Sequence, residues 1–211
     1  MKLTPEEKLT VATYDTNAQA WIKKHSTPGI WDKEMAIFKK LLPKGEILEI
    51  GAGGGRDAKE LIALGYDYAG VDVSRGLLVE AQKLNPQAQF FHQSIYELDF
   101  LKYSFDGFWT AATLLHIPKS RINEALKKIH AIVRPNGIGF ISVKQGRGEK
   151  IELDEPQLPG ERKRLFSYYS QDEFRKILIQ NGYQIIKSYL SSIIPMSQGT
   201  TWLIYFVKVV K

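Results

Sequence analysis

Four of the five residues at 51–55 are glycine, set between an apolar run and an amphipathic one in the stretch ILEIGAGGGRDAKEL (47–61). Ile47, Leu48 and Ile50 suit a buried strand, whereas residues 56–64 carry apolar side chains at helical spacing and stop at Gly65. A strand, a glycine turn and a helix in that order let the backbone approach a ligand and aim the first unpaired N–H groups of the helix at it. A nucleotide-type cofactor is the expected guest, in an α/β fold.

The dinucleotide fingerprint G-x-G-x-x-G is only partly met. Gly51 and Gly53 occupy its first two positions, but the third falls on Arg56, whose bulk opposes the close helix-to-strand packing that a third glycine permits. NAD is disfavoured accordingly. Glu49, two residues before Gly51, is unwelcome beside a pyrophosphate and welcome beside a ligand bearing an ammonium and a sulfonium. A second strand reads from YAGVDVS (68–74). It ends in Asp72, twenty-one positions after Gly51, where an acid can accept from both ribose hydroxyls.

Glu49-Ile50-Gly51-Ala52-Gly53-Gly54-Gly55 resembles the first motif, acid-x-G-x-G-x-G, of the class I S-adenosylmethionine-dependent methyltransferases, and Asp72 stands where that family keeps its ribose-binding acid. The resemblance covers most of the chain from about residue 14 and points to the small, type-11-like branch. It implies an α/β fold: a Rossmann-like seven-stranded, mostly parallel sheet with an antiparallel terminal hairpin, helices on both faces and an N-terminal helical cap. The expected division is a cap at 1–44 and a methyltransferase domain at 45–211, forming one structural unit. The implied cofactor is S-adenosylmethionine, with S-adenosylhomocysteine as product. Its implied site is Glu49, Gly51, Ala52, Gly53, Arg56, Asp57, Asp72, Val73, Ser94, Ile95 and Ala111. Glu49 and the turn would hold the amino-acid end, Asp72 the ribose, and Val73 with Ile95 the adenine. Ser94 stands where aspartate is commoner, so the adenine amine would be met by its hydroxyl, by Gln93 or by backbone.

The rest of the chain supplies the matching elements. Thr4-Pro5-Glu6-Glu7 is a capping box with proline at the first helical position, and Asp15 is placed to cap a second helix reaching Lys24. There, Tyr14, Asp15, Asn17, Ala18 and Trp21 resemble the Y-D-x-N-A-x-x-W/Y opening of many small methyltransferases, which implies a cap helix over cofactor and substrate. Helices follow at 31–42, 76–84 and 121–133, and strands at 89–92, 105–110 and 138–144. Residues 105–118 resemble the family's FDxVxAxxxLHHxP pattern and lack the (Asp/Asn)-Pro-Pro-(Tyr/Phe) signature of enzymes that methylate amino groups of bases or glutamine. Residues 146–169 read as a long charged connection without periodicity, of the kind that forms lids. A second capping box, Ser170-Gln171-Asp172-Glu173, opens a helix to Gln180, and two final strands read at 184–191 and 201–209.

Composition narrows the chemistry. The chain has 211 residues and no cysteine, which excludes disulfides, thiolate metal sites and thiol nucleophiles, including the cysteine adducts used to methylate the C5 carbon of pyrimidines. Its four histidines are scattered without ligand spacing, so no metal is expected. No apolar run is long enough for a bilayer, and the chain is expected to be cytoplasmic and independent of membranes. The net charge of +6 divides as +3 over 1–45, zero over 46–145, zero over 146–169 and +3 over 170–211, the pattern of a solvated lysine-rich surface rather than one nucleic-acid footprint.

Methyl transfer from a sulfonium needs proximity, alignment and a dry site, plus a base only where the nucleophile must lose a proton. His116, at the carboxyl end of the fourth strand, is the candidate base, and Lys144, at the end of the fifth, the second catalytic candidate. Tyr14, Trp21, Arg147, Tyr168 and Tyr169 are the candidate substrate contacts. The lid also offers Arg162, Lys163, Arg164 and Phe166, with its cations balanced by Glu149, Glu152, Asp154, Glu155 and Glu161. FSYYS (166–170), before a helix containing Glu173, resembles an element of small-molecule and tRNA-wobble-uridine-like methyltransferases. A small-molecule acceptor is expected first and RNA second, with a non-catalytic S-adenosylmethionine-binding module as the rival from another class.

Overall fold

The computed structural model describes residues 2–25, 27–153, 162–192 and 199–211. In chain order its helices are α1 (Pro5–His25), α2 (Asp32–Leu41), α3 (Arg56–Ala63), α4 (Arg75–Leu84), α5 (Ile122–Ile132) and α6 (Gln171–Gln180). Its strands are β1 (Glu46–Ile50), β2 (Asp67–Asp72), β3 (Gln89–His92), β4 (Phe105–Ala111), β5 (Val133–Lys144), β6 (Glu149–Leu153), β7 (Lys163–Ser167), β8 (Tyr183–Ser191) and β9 (Trp202–Val209). Seven strands form one sheet in the order β3-β2-β1-β4-β5-β9-β8. The first five are parallel, and β9 runs antiparallel to both β5 and β8.

The alternation of side chains along each strand builds two cores. Leu48, Ile50, Val71, Phe108 and Ile141 face α5 and α6 on one side, while Ile47, Trp109, Phe140, Ile204 and Phe206 face α2 and α3 on the other. Both faces are covered, which is why the central strands read as continuous apolar runs. From β1 the chain steps outward to β2 and β3, then returns to β4 on the opposite flank. That reversal opens a crevice at the carboxyl ends of β1 and β4, the place where open α/β sheets bind ligands.

Four expectations are corrected. The two N-terminal helices are one continuous helix, because nothing between Pro5 and His25 breaks the backbone ladder. Asp15 caps a different helix: its Oδ1 accepts from Ser74 Oγ at 2.6 Å and from the Gly76 amide at 2.9 Å, pinning α1 across the start of α4. The connection at 146–169 holds an antiparallel pair, with Glu149 opposite Ser167 and Leu153 opposite Lys163. Residues 154–161, with the expected lid acids Asp154, Glu155 and Glu161, lie outside the described residues. The fourth correction is at β5, which begins at Val133 rather than 138, through a register shift opposite Phe105 and Gly107. Asn136, at φ 64°, carries the local bend.

Candidate active site

The turn after β1 is built from left-handed backbone. Gly51, Gly53 and Gly55 have φ of 77°, 53° and 79°, values an L side chain adopts only with strain. The three serve different ends. A Cβ on Gly51 would lie 2.1 Å from Thr113 Oγ1, and one on Gly55 would strike Asn85 and Ala81, so these two permit packing. Gly53 has nothing within 4 Å of that position, leaving its backbone open to the crevice. The Gly53 amide donates to Asp72 Oδ2 at 2.8 Å and the Ser74 amide to Asp72 Oδ1 at 2.8 Å. Asp72 is thereby fixed at the end of β2 with accepting capacity left on each oxygen.

Glu49 is 3% exposed and accepts a short hydrogen bond from the Tyr68 hydroxyl. Burial, then the neighbouring Asp57 carboxylate, holds its pKa well above the usual carboxylate range. Arg56 binds Asp57 Oδ1 through two nitrogens at 2.6 Å, and the Trp109 indole N–H donates to Asp57 Oδ2 at 3.0 Å. Asp57 and Asp72 against Arg56 give this end of the cavity an excess of negative charge, to which Glu49 adds when a cation draws off its proton. A ligand with an ammonium and a sulfonium fits that excess, and the open backbone at Gly53 gives it room; a dinucleotide pyrophosphate does not fit. Val73, Ser94, Ile95 and Ala111 line the same cavity, as do Gly51, Ala52, Gly53, Arg56 and Asp57. Ser94 is fully buried and its hydroxyl accepts from the Tyr96 amide at 3.3 Å, so the side chain caps a short helical turn.

The cavity, about 490 Å³, continues beneath α1 into a second chamber. His116 Nδ1 lies 2.7 Å from the Leu165 carbonyl, which only an N–H can satisfy. Nε2 is therefore the bare nitrogen, and it accepts the Tyr14 hydroxyl at 3.0 Å. Burial, then the charges of Arg164 and Lys144, lowers the His116 pKa well below its usual value. Arg164, 4% exposed, donates to the Tyr14 oxygen and spreads its guanidinium over Tyr14, Trp21 and Phe166, with ring centroids at 4.9, 4.5 and 5.2 Å. Lys144 sits 4.0 Å above Phe166. Trp31 and Trp202, ring centroids 6.1 Å apart, complete the wall. The Trp31 indole N–H is buried and meets no acceptor among the described residues.

Of the sequence-selected substrate contacts, Tyr14 and Trp21 line this chamber and three do not. Arg147 is exposed outside it. Tyr168 binds Glu152 across the hairpin at 2.9 Å, and Tyr169 is fully buried against Phe174. Strand alternation decides the matter: in KRLFS (163–167), Arg164 and Phe166 turn to the cavity. The residues that sequence reasoning did not select are Tyr68, Trp109, Trp31, Trp202 and Arg164, the last named only among the cations of the 146–169 connection. Only the last two carried a readable signal, the period of two in β7 and the apolar run at 202–207.

Residues 47–137 match a family model described as a methyltransferase domain. No curated protein matches the chain in sequence. Among solved structures, the 1,6-didemethyltoxoflavin-N1-methyltransferase of Burkholderia thailandensis, crystallised with 1,6-didemethyltoxoflavin and S-adenosylhomocysteine, aligns with all of this chain and 92% of its own. The TM-score is 0.76 and the identity 22%. A methyltransferase from Methanosarcina mazei aligns over 83% of this chain and 97% of its own, at TM-score 0.74 and 17% identity. The [4+2]-cyclase SpnF aligns over 85% of this chain and 80% of its own, at TM-score 0.64 and 16% identity. The domain match over 47–137, the strand order and the cavity at its switch point agree on a Rossmann-like methyltransferase fold.

Proposed function

We propose that the protein transfers a methyl group from S-adenosylmethionine to an oxygen or nitrogen of a small-molecule acceptor. One observation carries the reading: a single cavity runs from the glycine turn to an aromatic chamber roofed by α1, and its size suits a cofactor with a compact acceptor rather than a polynucleotide. Bound S-adenosylmethionine would supply an electrophilic methyl group on sulfur. Glu49 and the 51–53 turn would take its amino-acid end, Asp72 the ribose hydroxyls, and Val73 with Ile95 the faces of adenine. The small residues Ala111 and Ala112 leave the passage between the two ends open.

On the acceptor side, α1 and β7 exclude water and hold the walls. His116 acts through Tyr14. An acceptor that reached the Tyr14 oxygen could hand over a proton while Tyr14 passed its own to His116 Nε2, but the lowered pKa of that imidazole makes it a weak proton acceptor. The arrangement favours an acceptor that arrives without a proton to lose. Among the described residues no group of three or more histidine, aspartate or glutamate side chains could hold a metal, and no helix is long and apolar enough to cross a membrane.

Parallel calorimetric titration with S-adenosylmethionine, S-adenosylhomocysteine and NAD tests the cofactor half. Micromolar binding of the first two without NAD supports it, and silence from both adenosyl compounds refutes it. Transfer of an isotopic methyl label to an acceptor separates methylation from the use of the same cofactor site for other chemistry.

A further inference from the structure

We propose that the acceptor is a flat ring carrying negative charge, an aromatic acid or an ionised heterocycle, held face-on by the aromatic walls with its anionic edge toward Arg164 and Lys144. The inference deepens the methyltransferase reading and rests on it.

Charge sorts along the cavity. The acids that line it among the described residues are Glu49, Asp57 and Asp72 at the glycine turn, and Glu7, two turns before Tyr14 on α1 and tied to Tyr96 at 2.5 Å and Arg121 at 3.1 Å. The far chamber presents Arg164 and Lys144. Their fields reach into it, since both help to depress the ionisation of His116. Arg164 is almost wholly buried, and a guanidinium is the cation best suited to a planar anion, through paired N–H donors and stacking. The buried Trp31 N–H adds a donor with no described acceptor, which an anionic or carbonyl oxygen would satisfy.

Shape is set by rings. Tyr14 meets Trp21 edge-on at 5.1 Å, His116 tilts against Phe166 at 5.0 Å, and Trp31 stands edge-on to Trp202. Such walls offer large contact to a flat guest and poor contact to a branched aliphatic one.

The chemistry balances without a base. The bond that forms joins the lone pair of the acceptor heteroatom to the methyl carbon; the bond that breaks is carbon to sulfur, its pair staying on sulfur. Anion and sulfonium both end neutral, and no proton moves in the step. That agrees with His116 Nε2 being already engaged by Tyr14.

The test uses 2-naphthoate, 2-naphthamide and decalin-2-carboxylate as probes, titrated calorimetrically into protein saturated with S-adenosylhomocysteine. Naphthoate should bind at least tenfold tighter than either of the others. Arg164→Gln should abolish the preference for naphthoate over naphthamide while S-adenosylhomocysteine affinity changes less than twofold, and Arg164→Lys should keep part of it. Lys144→Gln should narrow the preference as well, which keeps the test decisive if the Arg164→Gln chain does not fold. Equal binding of naphthoate and naphthamide, tighter binding of the decalin acid, or no binding of any probe overturns the proposal. Failure of S-adenosylhomocysteine itself to bind overturns the cofactor reading instead.

Discussion

Replacing Glu49 by glutamine should make the protein more stable and less able to bind its cofactor. The side chain is 3% exposed, accepts from Tyr68, and lies near Asp57 in a pocket that raises its pKa through burial first and like charge second. A carboxyl whose pKa is raised on folding binds its proton more readily in the folded chain than in the unfolded one. Stability is therefore full below the unfolded pKa and falls as pH rises toward the folded value. Glutamine keeps the shape and can still accept from Tyr68, but it never ionises. At pH 7 to 8 the variant should gain about 1 kcal/mol or more, the order of the cost of a poorly compensated buried polar group, which corresponds to a melting point higher by roughly 2 to 4 °C per kcal/mol in a chain of this size.

Cofactor affinity should move the other way. A hydrogen bond to a charged group contributes about 1.5 to 3 kcal/mol, or roughly 10- to 150-fold in Kd. Because a bound cation favours the ionised carboxylate, binding to the wild type should release a proton, so the measured enthalpy should vary with the ionisation enthalpy of the buffer. Calorimetry of wild type and Glu49→Gln in two buffers, with thermal melts of the free proteins, checks all three expectations. Unchanged affinity, or a buffer dependence that survives the substitution, would refute the role given to Glu49.

Other perturbations reach the remaining parts of the site. Asp72→Ala should weaken S-adenosylhomocysteine by about 1 to 3 kcal/mol, read by titration, since it removes the acceptor proposed for the ribose and the one that holds the Gly53 and Ser74 amides. Gly51→Ala should destabilise the chain by about 1 to 3 kcal/mol in urea melts, combining a φ of 77° with a methyl group 2.1 Å from Thr113 Oγ1. His116, whose pKa falls on folding, should make the protein lose stability as pH drops below about 6.5, by at most about 1.4 kcal/mol per pH unit; urea melts of His116→Gln across that range should show a shallower slope. Asp15→Ala should cost about 1 kcal/mol and speed amide exchange at the start of α4, because it deletes the cap that α1 supplies.

The glycine-turn end of the cavity was legible in the sequence because its parts are local. A glycine turn needs consecutive residues, an acid must follow at the end of the next strand, and Glu49, Gly51, Gly53 and Asp72 all declare themselves by spacing. The α/β class was legible from the alternation of apolar strands with capped helices, whereas the strand order is a property of the folded sheet. The acceptor end was not legible, because it forms where α1, β5, β7 and β9 meet. The reading of 146–169 weighed cations against acids as if all were solvated. Folding the stretch into a hairpin turns Arg164 inward on one face, and buries Tyr169 behind it. Asp15 was correctly read as a cap and assigned to the wrong helix, for its partner lies 61 residues away at Gly76. Tyr68 looked like an ordinary strand residue, yet its hydroxyl holds the buried Glu49.

The sorted charge also bears on turnover. With an anionic acceptor, each reactant is drawn to its own end of the cavity by charge of opposite sign, the donor by Glu49 and Asp72, the acceptor by Arg164 and Lys144. Transfer removes one positive charge at sulfur and one negative charge at the acceptor together. Both ligands then lose part of what held them, while neither wall has moved. The product should therefore bind its chamber more weakly than the acceptor, by a margin that shrinks as salt screens the lysine more than the buried arginine. A methylated probe, methyl 2-naphthoate, tests this against 2-naphthoate over a salt series. Weaker binding of the ester at low salt, with the gap narrowing but persisting at high salt, is the result this charge arrangement requires; equal affinity at low salt would show that the chamber's cations do not act on the bound ligand.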